Sequence, residues 1–185
     1  MKYLKPLLLV LLVLIADQVL KVWVKTHMYE GQDIVIFKDW FILHFIENNG
    51  IAFGMEWGGR TGKLFLTLFR IAAVSVIGYF IIRLIKKESA MGLVLSVALI
   101  FAGALGNIID SVFYGPIFGY ENFFYGKVVD MLYFPVYHDF LPEWIPFVGG
   151  DYFIFFRPVF NIADTAITTG VFAILLFYRK LFSEL

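Results

Sequence analysis

Residues 159–178 read VFNIADTAITTGVFAILLFY, an almost wholly apolar stretch that nevertheless contains Asn161 and Asp164. A helix of about 20 apolar residues is long enough to cross the hydrocarbon core of a bilayer. A carboxylate is costly there, and ionisable groups inside such helices usually mark functional sites. The stretch therefore predicts a transmembrane helix with a functional acid near its start.

Three further apolar stretches have similar length, at about residues 4–24, 64–84 and 91–109. Hydrophobic residues make up 61% of the chain and charged residues 16%, with a mean hydropathy of +0.82. Soluble domains are about half apolar and about a quarter charged. We predict a single α-helical membrane domain over residues 1–185, with four transmembrane helices. A cleaved signal peptide is disfavoured because no small-residue cleavage site follows the first apolar run.

Basic residues predict the orientation of the helices, because Lys and Arg concentrate on the cytoplasmic side. They precede the first helix, separate the second from the third, and follow the fourth: Lys2, Lys5, Arg83, Lys86, Lys87, Arg179 and Lys180. All three sites lie on one side of a four-pass chain. Both termini are therefore expected in the cytoplasm.

Two longer segments then lie on the outer side, at about residues 25–63 and 111–157. The first alternates like β-strands at 33–37 and 40–46, followed by a turn at 48–50. It predicts a small β-sheet on the membrane surface. The second is rich in Tyr, Phe, Gly and Pro, and irregular structure with short helices is expected for it.

Composition excludes several kinds of chemistry. The net charge is zero, which gives no reason to expect a nucleic-acid partner. There is no cysteine, so thiol chemistry and disulfides are excluded. His27, His44 and His138 are too scattered to predict a metal site, and no cofactor-binding loop is present. We therefore expect neither a metal nor a cofactor.

Polar residues in the first and third helices need an explanation. Asp17 and Lys21 are four apart, so they predict an ion pair that allows Lys21 to extend outward to the membrane surface. In the third helix, Asn107 and Asp110 share a face near the outer end, beside the small-residue stripe Ala98, Ala102 and Gly106. Close helix packing explains the small residues, but it does not explain the amide and the carboxylate.

The fourth helix begins with a polar face made of Asn161, Asp164, Thr165 and Thr168. Helix capping by Asn161 and Asp164 is one interpretation, and a functional site is the other. A further acid, Asp130, lies in the apolar, strand-like run 126–134. It would join Asp164 at the outer membrane surface.

A pair of carboxyl groups in a site of low dielectric constant favours one specific chemistry. The two groups resist joint ionisation, so one stays protonated while the other is charged. The charged group can deprotonate a water, and the neutral group can donate a hydrogen bond to a carbonyl. This arrangement predicts peptide hydrolysis without a metal or a covalent intermediate.

Five sequence blocks, in order, resemble the signatures of the lipoprotein signal peptidase (signal peptidase II) family. They are Asp17–Lys21 (DQVLK), 48–53 (NNGIAF), 103–110 (GALGNIID), 126–130 (GKVVD) and 160–164 (FNIAD). The resemblance covers essentially the whole chain. It implies an aspartyl endopeptidase of the bacterial inner membrane, with its active site at the periplasmic face.

The resemblance also implies a substrate and residue roles. The substrate would be a prolipoprotein, cleaved just before the cysteine that carries diacylglycerol. Globomycin-type peptides would be expected inhibitors of this cleavage. Asp130 and Asp164 match the catalytic aspartates. Asn48, Asn107, Asn161, Asp110, Asp17 and Lys21 match residues that bind substrate or support the site. Membrane lipids are the other expected partner.

The chain departs from the family pattern in three places. Ser111 stands where the family usually has Arg, and Arg157 is a candidate to replace that group. The stretch 115–125 looks inserted, and the segment between Asp130 and Asp164 is long for the family. Two other functions remain open from the residues alone. One is a small transporter or proton pathway, although the polar residues cluster in the outer half, and the other is a purely structural membrane subunit.

Overall fold

A computed structural model describes residues 2–49 and 59–178 and shows a mostly helical protein. The long helices are α1 (Leu4–His27), α2 (Gly59–Lys86), α3 (Met91–Ile109) and α5 (Ile162–Phe177). A π-helix (Asp110–Tyr114) and the short α4 (Gly115–Ile117) extend α3. Within the described residues, α1, α2 and the continuous run 91–117 are long and apolar enough to cross a membrane. The described part of α5 has 16 residues.

Helix α1 is polar where it is buried and apolar where it is exposed. Asp17 and Lys21 are 1% and 0% exposed, whereas Leu12 and Ile15 are 67% and 62% exposed. This is the reverse of a soluble helix, and it is the arrangement that a surrounding hydrocarbon solvent favours. The outward-facing leucines can contact acyl chains while the charged face is enclosed by other helices.

Helix α3 is the centre of the helical part and packs closely on α5. The predicted small-residue stripe is buried in α3, with Ala98 and Ala102 at 0% exposure. Two glycines set the distance between the helices. A Cβ at Gly103 would lie 2.1 Å from the Ala163 carbonyl oxygen, and one at Gly170 would lie 2.5 Å from the Ser96 carbonyl oxygen. Both glycines are therefore required by backbone contact between α3 and α5.

We expect Gly103→Ala to lower the stability of the protein by about 1–3 kcal/mol, the usual cost of overpacking, because the Ala163 backbone cannot move aside. Thermal unfolding in detergent measures this. Gly78→Ala in α2 is the matched control, since its nearest neighbour is the side-chain ring of Phe101 at 3.1 Å. An equal loss of stability in both variants would contradict the close α3–α5 contact.

The outer segments, together with Val159–Phe160, form a four-stranded antiparallel sheet in the order β1-β2-β3-β6. Val159 and Phe160 were predicted to begin the fourth helix, which instead begins at Ile162. Its strands are β1 (Asp33–Phe37), β2 (Phe41–Asn48), β3 (Val128–Tyr133) and β6 (Val159–Phe160). Val129 and Met131 of β3 pack into a core with Val24 of α1. Because successive side chains in a strand alternate in direction, Asp130 points to the other face of the sheet.

The second outer segment contains more strands than expected. β3, which covers the strand-like run around Asp130, lies inside the main sheet and is paired with both β2 and β6. Strands β4 (Tyr137–Phe140) and β5 (Tyr152–Phe155) form a separate hairpin in a part that was expected to be irregular. The Gly and Pro residues of this part suggested irregular structure. The β2–β3 pairing joins residues at least 80 positions apart, and it places Asp130 beside the first outer segment.

Candidate active site

Strand β3 presents Asp130 to the space between the sheet and the start of α5. The side chain is 3% exposed. Its Oδ1 accepts a hydrogen bond of 2.7 Å from Asn161 Nδ2, and its Oδ2 accepts one from Asn48 Nδ2. Asn48 is the last residue of β2 and pairs with Val128 in the sheet. Two amide donors from two different elements therefore fix the orientation of this carboxyl group.

Asp164 lies in the first turn of α5 and forms a capping box with Asn161. Asn161 Oδ1 accepts from the Asp164 backbone N–H at 2.8 Å, and Asp164 Oδ2 accepts from the Asn161 backbone N–H at 3.4 Å. The capping interpretation is therefore correct. The capping hydrogen bond uses only Oδ2 of Asp164. The other oxygen, Oδ1, accepts a hydrogen bond from Asn107 Nδ2 at 2.8 Å.

Asn161 is the residue shared by the two acids. It is 0% exposed. Its side-chain amide donates to Asp130, and its backbone N–H donates to Asp164. Both carboxyl groups are thereby held around one residue.

The orientation of the Asn107 amide follows from its neighbours. Asn107 Oδ1 accepts from Lys21 Nζ at 2.9 Å and from Asn161 Nδ2 at 3.1 Å. An ammonium group can only donate, so the oxygen of Asn107 must face Lys21. The Asn107 NH₂ group must then face Asp164.

A buried ion cluster lies next to Asn107. Lys21 Nζ lies 2.9 Å from Asp17 Oδ2 and 2.7 Å from Asp110 Oδ2, and all three side chains are at most 1% exposed. Asp17 Oδ1 also accepts from the backbone N–H of Ala163 at 2.9 Å. That N–H is one of the unpaired donors at the start of α5. The cluster therefore fixes α1 and α3 to the helix that carries Asp164.

Several expectations about individual residues need correction. Lys21 does not extend outward to the membrane surface, because Asp110 of the π-helix provides a second buried carboxylate. Thr165 and Thr168 are exposed, so the polar face of α5 turns away from the site after its first turn. Arg157 is exposed and lies within electrostatic range of Tyr133. Residues 50–53 of the second sequence block lie outside the described residues.

Three contributors were missed in the sequence. Gln18 Nε2 donates to Asp110 Oδ1 at 2.9 Å, and Lys63 and Arg70 of α2 face the same region. The predicted second helix began at residue 64, so Lys63 was taken as part of the loop. Lys63 and Arg70 could have been found from their spacing with Thr67, which places three polar residues on one face of the helix.

The two acids differ in their surroundings. Asp164 is half-buried, whereas Asp130 is almost fully enclosed. Burial, with a further contribution from the charge of Asp164, raises the pKa of Asp130 to about 7. Near neutral pH, the Asp130 carboxyl group can therefore hold a proton.

Two acids held by asparagines at one end of apolar helices are the arrangement expected of a membrane protease of the aspartic type. A family model described as signal peptidase (SPase) II matches residues 9–180. The chain therefore belongs to the signal peptidase II family, which confirms the resemblance drawn from the sequence.

Individual relatives agree with the family model. The lipoprotein signal peptidase of Porphyromonas gingivalis is 46% identical over 96% of this chain and 84% of the relative. That of Amoebophilus asiaticus is 42% identical over 90% of this chain and 74% of the relative. A solved bacterial membrane enzyme, determined by the in meso method at 2.3 Å resolution, superposes with a TM-score of 0.64. It is 27% identical, and the match covers 97% of this chain and 90% of that one.

Proposed function

We propose that this protein removes the signal peptide from diacylglyceryl-modified prolipoproteins, cutting just before the lipidated cysteine, with Asp130 and Asp164 as its catalytic acids. The observation that carries this proposal is the hydrogen bonding of both carboxyl groups to Asn161. Membership of the signal peptidase II family supplies the reaction class. The pair of acids supplies groups able to perform it.

The reaction would proceed through a water held between the acids. The ionised carboxylate takes a proton from this water, whose oxygen attacks the scissile carbonyl carbon. The protonated carboxyl donates to the carbonyl oxygen as negative charge develops there. The C–N bond then breaks, and the leaving nitrogen receives a proton from the pair.

The membrane setting fits a lipid-anchored substrate. A diacylglyceryl group leaves the bilayer only at a cost of about 0.8 kcal/mol for each buried CH₂. We place α5 as a fourth transmembrane helix, both termini in the cytoplasm and the acids at the periplasmic face of the inner membrane. Globomycin-type peptides, which would occupy the site in place of substrate, are expected to inhibit.

The alternative of a proton or ion pathway is less well supported. Such a path needs polar groups throughout the membrane. In α3 the buried residues of the other half are mainly Leu93, Val94, Val97 and Ala98. The polar side chains gather instead around Asp130 and Asp164.

The experiment that tests the proposal is cleavage by purified protein in detergent, with the products mapped by mass spectrometry. Two substrates are compared, one with and one without diacylglycerol on the cysteine. Cleavage of only the lipidated form, immediately before that cysteine, is the expected result. A folded protein that cuts neither substrate, or cuts elsewhere, would refute the proposal.

We also expect the rate of cleavage to depend on pH in a defined direction. The active pair carries one proton, and the pKa of Asp130 is raised to about 7. Loss of this proton leaves both acids ionised and removes the donor to the carbonyl oxygen. kcat/KM should therefore fall as pH rises above about 7, by about tenfold per pH unit well beyond it. A rate that stays constant from pH 6 to 9 would contradict a protonated partner in the pair.

A further inference from the structure

The outer part of α2 carries a polar face that the proposed mechanism leaves unused. Lys63, Thr67 and Arg70 follow at spacings of four and three, so they lie on one side of the helix. Val74 continues this side and packs with Ile108 of α3 and Val112 of the π-helix. The polar face of α2 is therefore directed at α3 and the site, and not at lipid.

Lys63 contacts the residue that follows Asn48, whose side chain binds Asp130. It is 7% exposed, and its Nζ donates to the Asn49 carbonyl at 3.0 Å and to Ser111 Oγ at 3.4 Å. Lys63 thus bridges Asn49 and the π-helix by hydrogen bonds. Asn49 is adjacent to Asn48, which donates a hydrogen bond to Asp130.

Arg70 lies about 10 Å further along the helix axis, from a rise of 1.5 Å per residue. It is half-buried, and the carboxylates of Asp164, Asp110 and Asp130 are among the charges within electrostatic range of its guanidinium. These belong to α5, the π-helix and β3. On its own helix, the charge of Lys63 is within range. Both proposed catalytic acids are thus among its charge partners.

Among the described residues around the site, four acidic side chains (Asp17, Asp110, Asp130 and Asp164) face one basic side chain, Lys21, when α2 is left out. Lys63 and Arg70 of α2 add two basic side chains to this group. Without the cations of α2, excess negative charge would oppose ionisation of either catalytic acid.

We propose that the polar face of α2 is the cationic side of the active site, in which Arg70 keeps one member of the aspartate pair ionised and Lys63 positions the Asn48–Asn49 end of β2. This inference rests on the assignment of Asp130 and Asp164 as the catalytic pair. Arg70 and Lys63 act through other groups, so both are positioning residues.

The pH profile of kcat/KM tests the role of Arg70. Arg70→Met removes the charge and should move the acid limb of the profile to higher pH by about one unit, since the ionised carboxylate loses a stabilising cation. Arg70→Lys keeps the charge and should leave the limb near its wild-type position. Arg60→Met is the matched control, because Arg60 is an exposed cation of the same helix, paired with Glu121. It should match wild type.

An unshifted limb in Arg70→Met, or an equal shift in Arg70→Lys, would overturn the proposal for Arg70. If Arg70→Met does not fold, Arg70→Gln provides the same neutralisation with a polar side chain. An inactive wild type would instead refute the proposed function itself. Inactive Asp130→Asn and Asp164→Asn beside a wild-type profile in Arg70→Met would refute only this inference.

Moving the positive charge from position 63 to position 111 tests the positioning role of Lys63. Lys63→Ala should lower kcat/KM by about tenfold, and Lys63→Ala combined with Ser111→Arg should recover part of the loss, because an Arg at 111 can reach the vacated ammonium position. A merely structural role for Lys63 would not allow recovery from a different element. Wild-type activity in Lys63→Ala, or a double variant no better than Lys63→Ala, would overturn the proposal for Lys63.

Discussion

Asp164→Asn and Asp130→Asn are each expected to lower kcat for prolipoprotein cleavage by at least about a thousandfold, within the range that general acid–base groups supply. An amide cannot take a proton from water, and it cannot pass one to the leaving nitrogen. The shapes of the side chains hardly change, so hydrogen bonds from Asn107 and Asn161 can partly persist. Single-turnover cleavage followed by mass spectrometry measures the effect.

Folding must be checked in the same preparations, with Asp151→Asn on the exposed hairpin as the matched control. The control should cleave at the wild-type rate. Folded Asp130 keeps its proton to about pH 7, whereas its pKa in an unfolded chain is near the ordinary value of 3.8. Stability therefore falls as pH rises between these values. At pH 8, Asp130→Asn should unfold at or above the wild-type temperature, and substantial activity in either folded variant would refute the assignment.

Lys21→Met is expected to destabilise the protein by about 3–5 kcal/mol, the usual cost of removing one partner from a buried ion pair. The change leaves Asp17 and Asp110 facing each other without a cation at 1% and 0% exposure. It also removes one of the two donors that orient the Asn107 amide, so the hydrogen bond from Asn107 to Asp164 should weaken. Thermal unfolding in detergent measures the first effect, and residual cleavage measures the second.

Two comparisons separate the buried cluster from an ordinary loss of charge. Lys2→Met removes the exposed pair with Glu88 and should cause no measurable change. Asp17→Asn and Asp110→Asn introduced together with Lys21→Met should recover part of the stability, because no unpaired buried charge remains. If Lys21→Met alone is as stable as wild type, the buried cluster does not hold the helices together.

The membrane class and the two proposed catalytic acids could be predicted because each gives a strong local signal. A carboxylate within an apolar stretch is costly, so Asp164 stands out in the sequence without knowledge of its neighbours. The small-residue stripe of α3 was likewise readable from spacing alone. These features depend on residues close together in the chain.

The partners of those acids could not be predicted from local patterns. Asn48 meets Asp130 only because β2 pairs with β3, and no local pattern in the sequence showed that these two distant strands would pair. Lys21 looked able to reach the membrane surface, since no local pattern showed that Asp110 would approach it from α3. Lys63 was missed because the predicted second helix began at residue 64, and this boundary hid the polar face that Lys63 forms with Thr67 and Arg70.

The double use of Asn161 restricts what evolution can place at that position. Its oxygen closes the first turn of α5, and its nitrogen holds Asp130. Aspartate offers no donor and would add a third carboxylate, serine is too short to serve both neighbours, and alanine serves neither. A mutational scan should therefore find position 161 nearly as intolerant as the two acids, although asparagine itself exchanges no proton in the reaction. Resistance to an inhibitor bound to this pair could not readily arise there without loss of the enzyme.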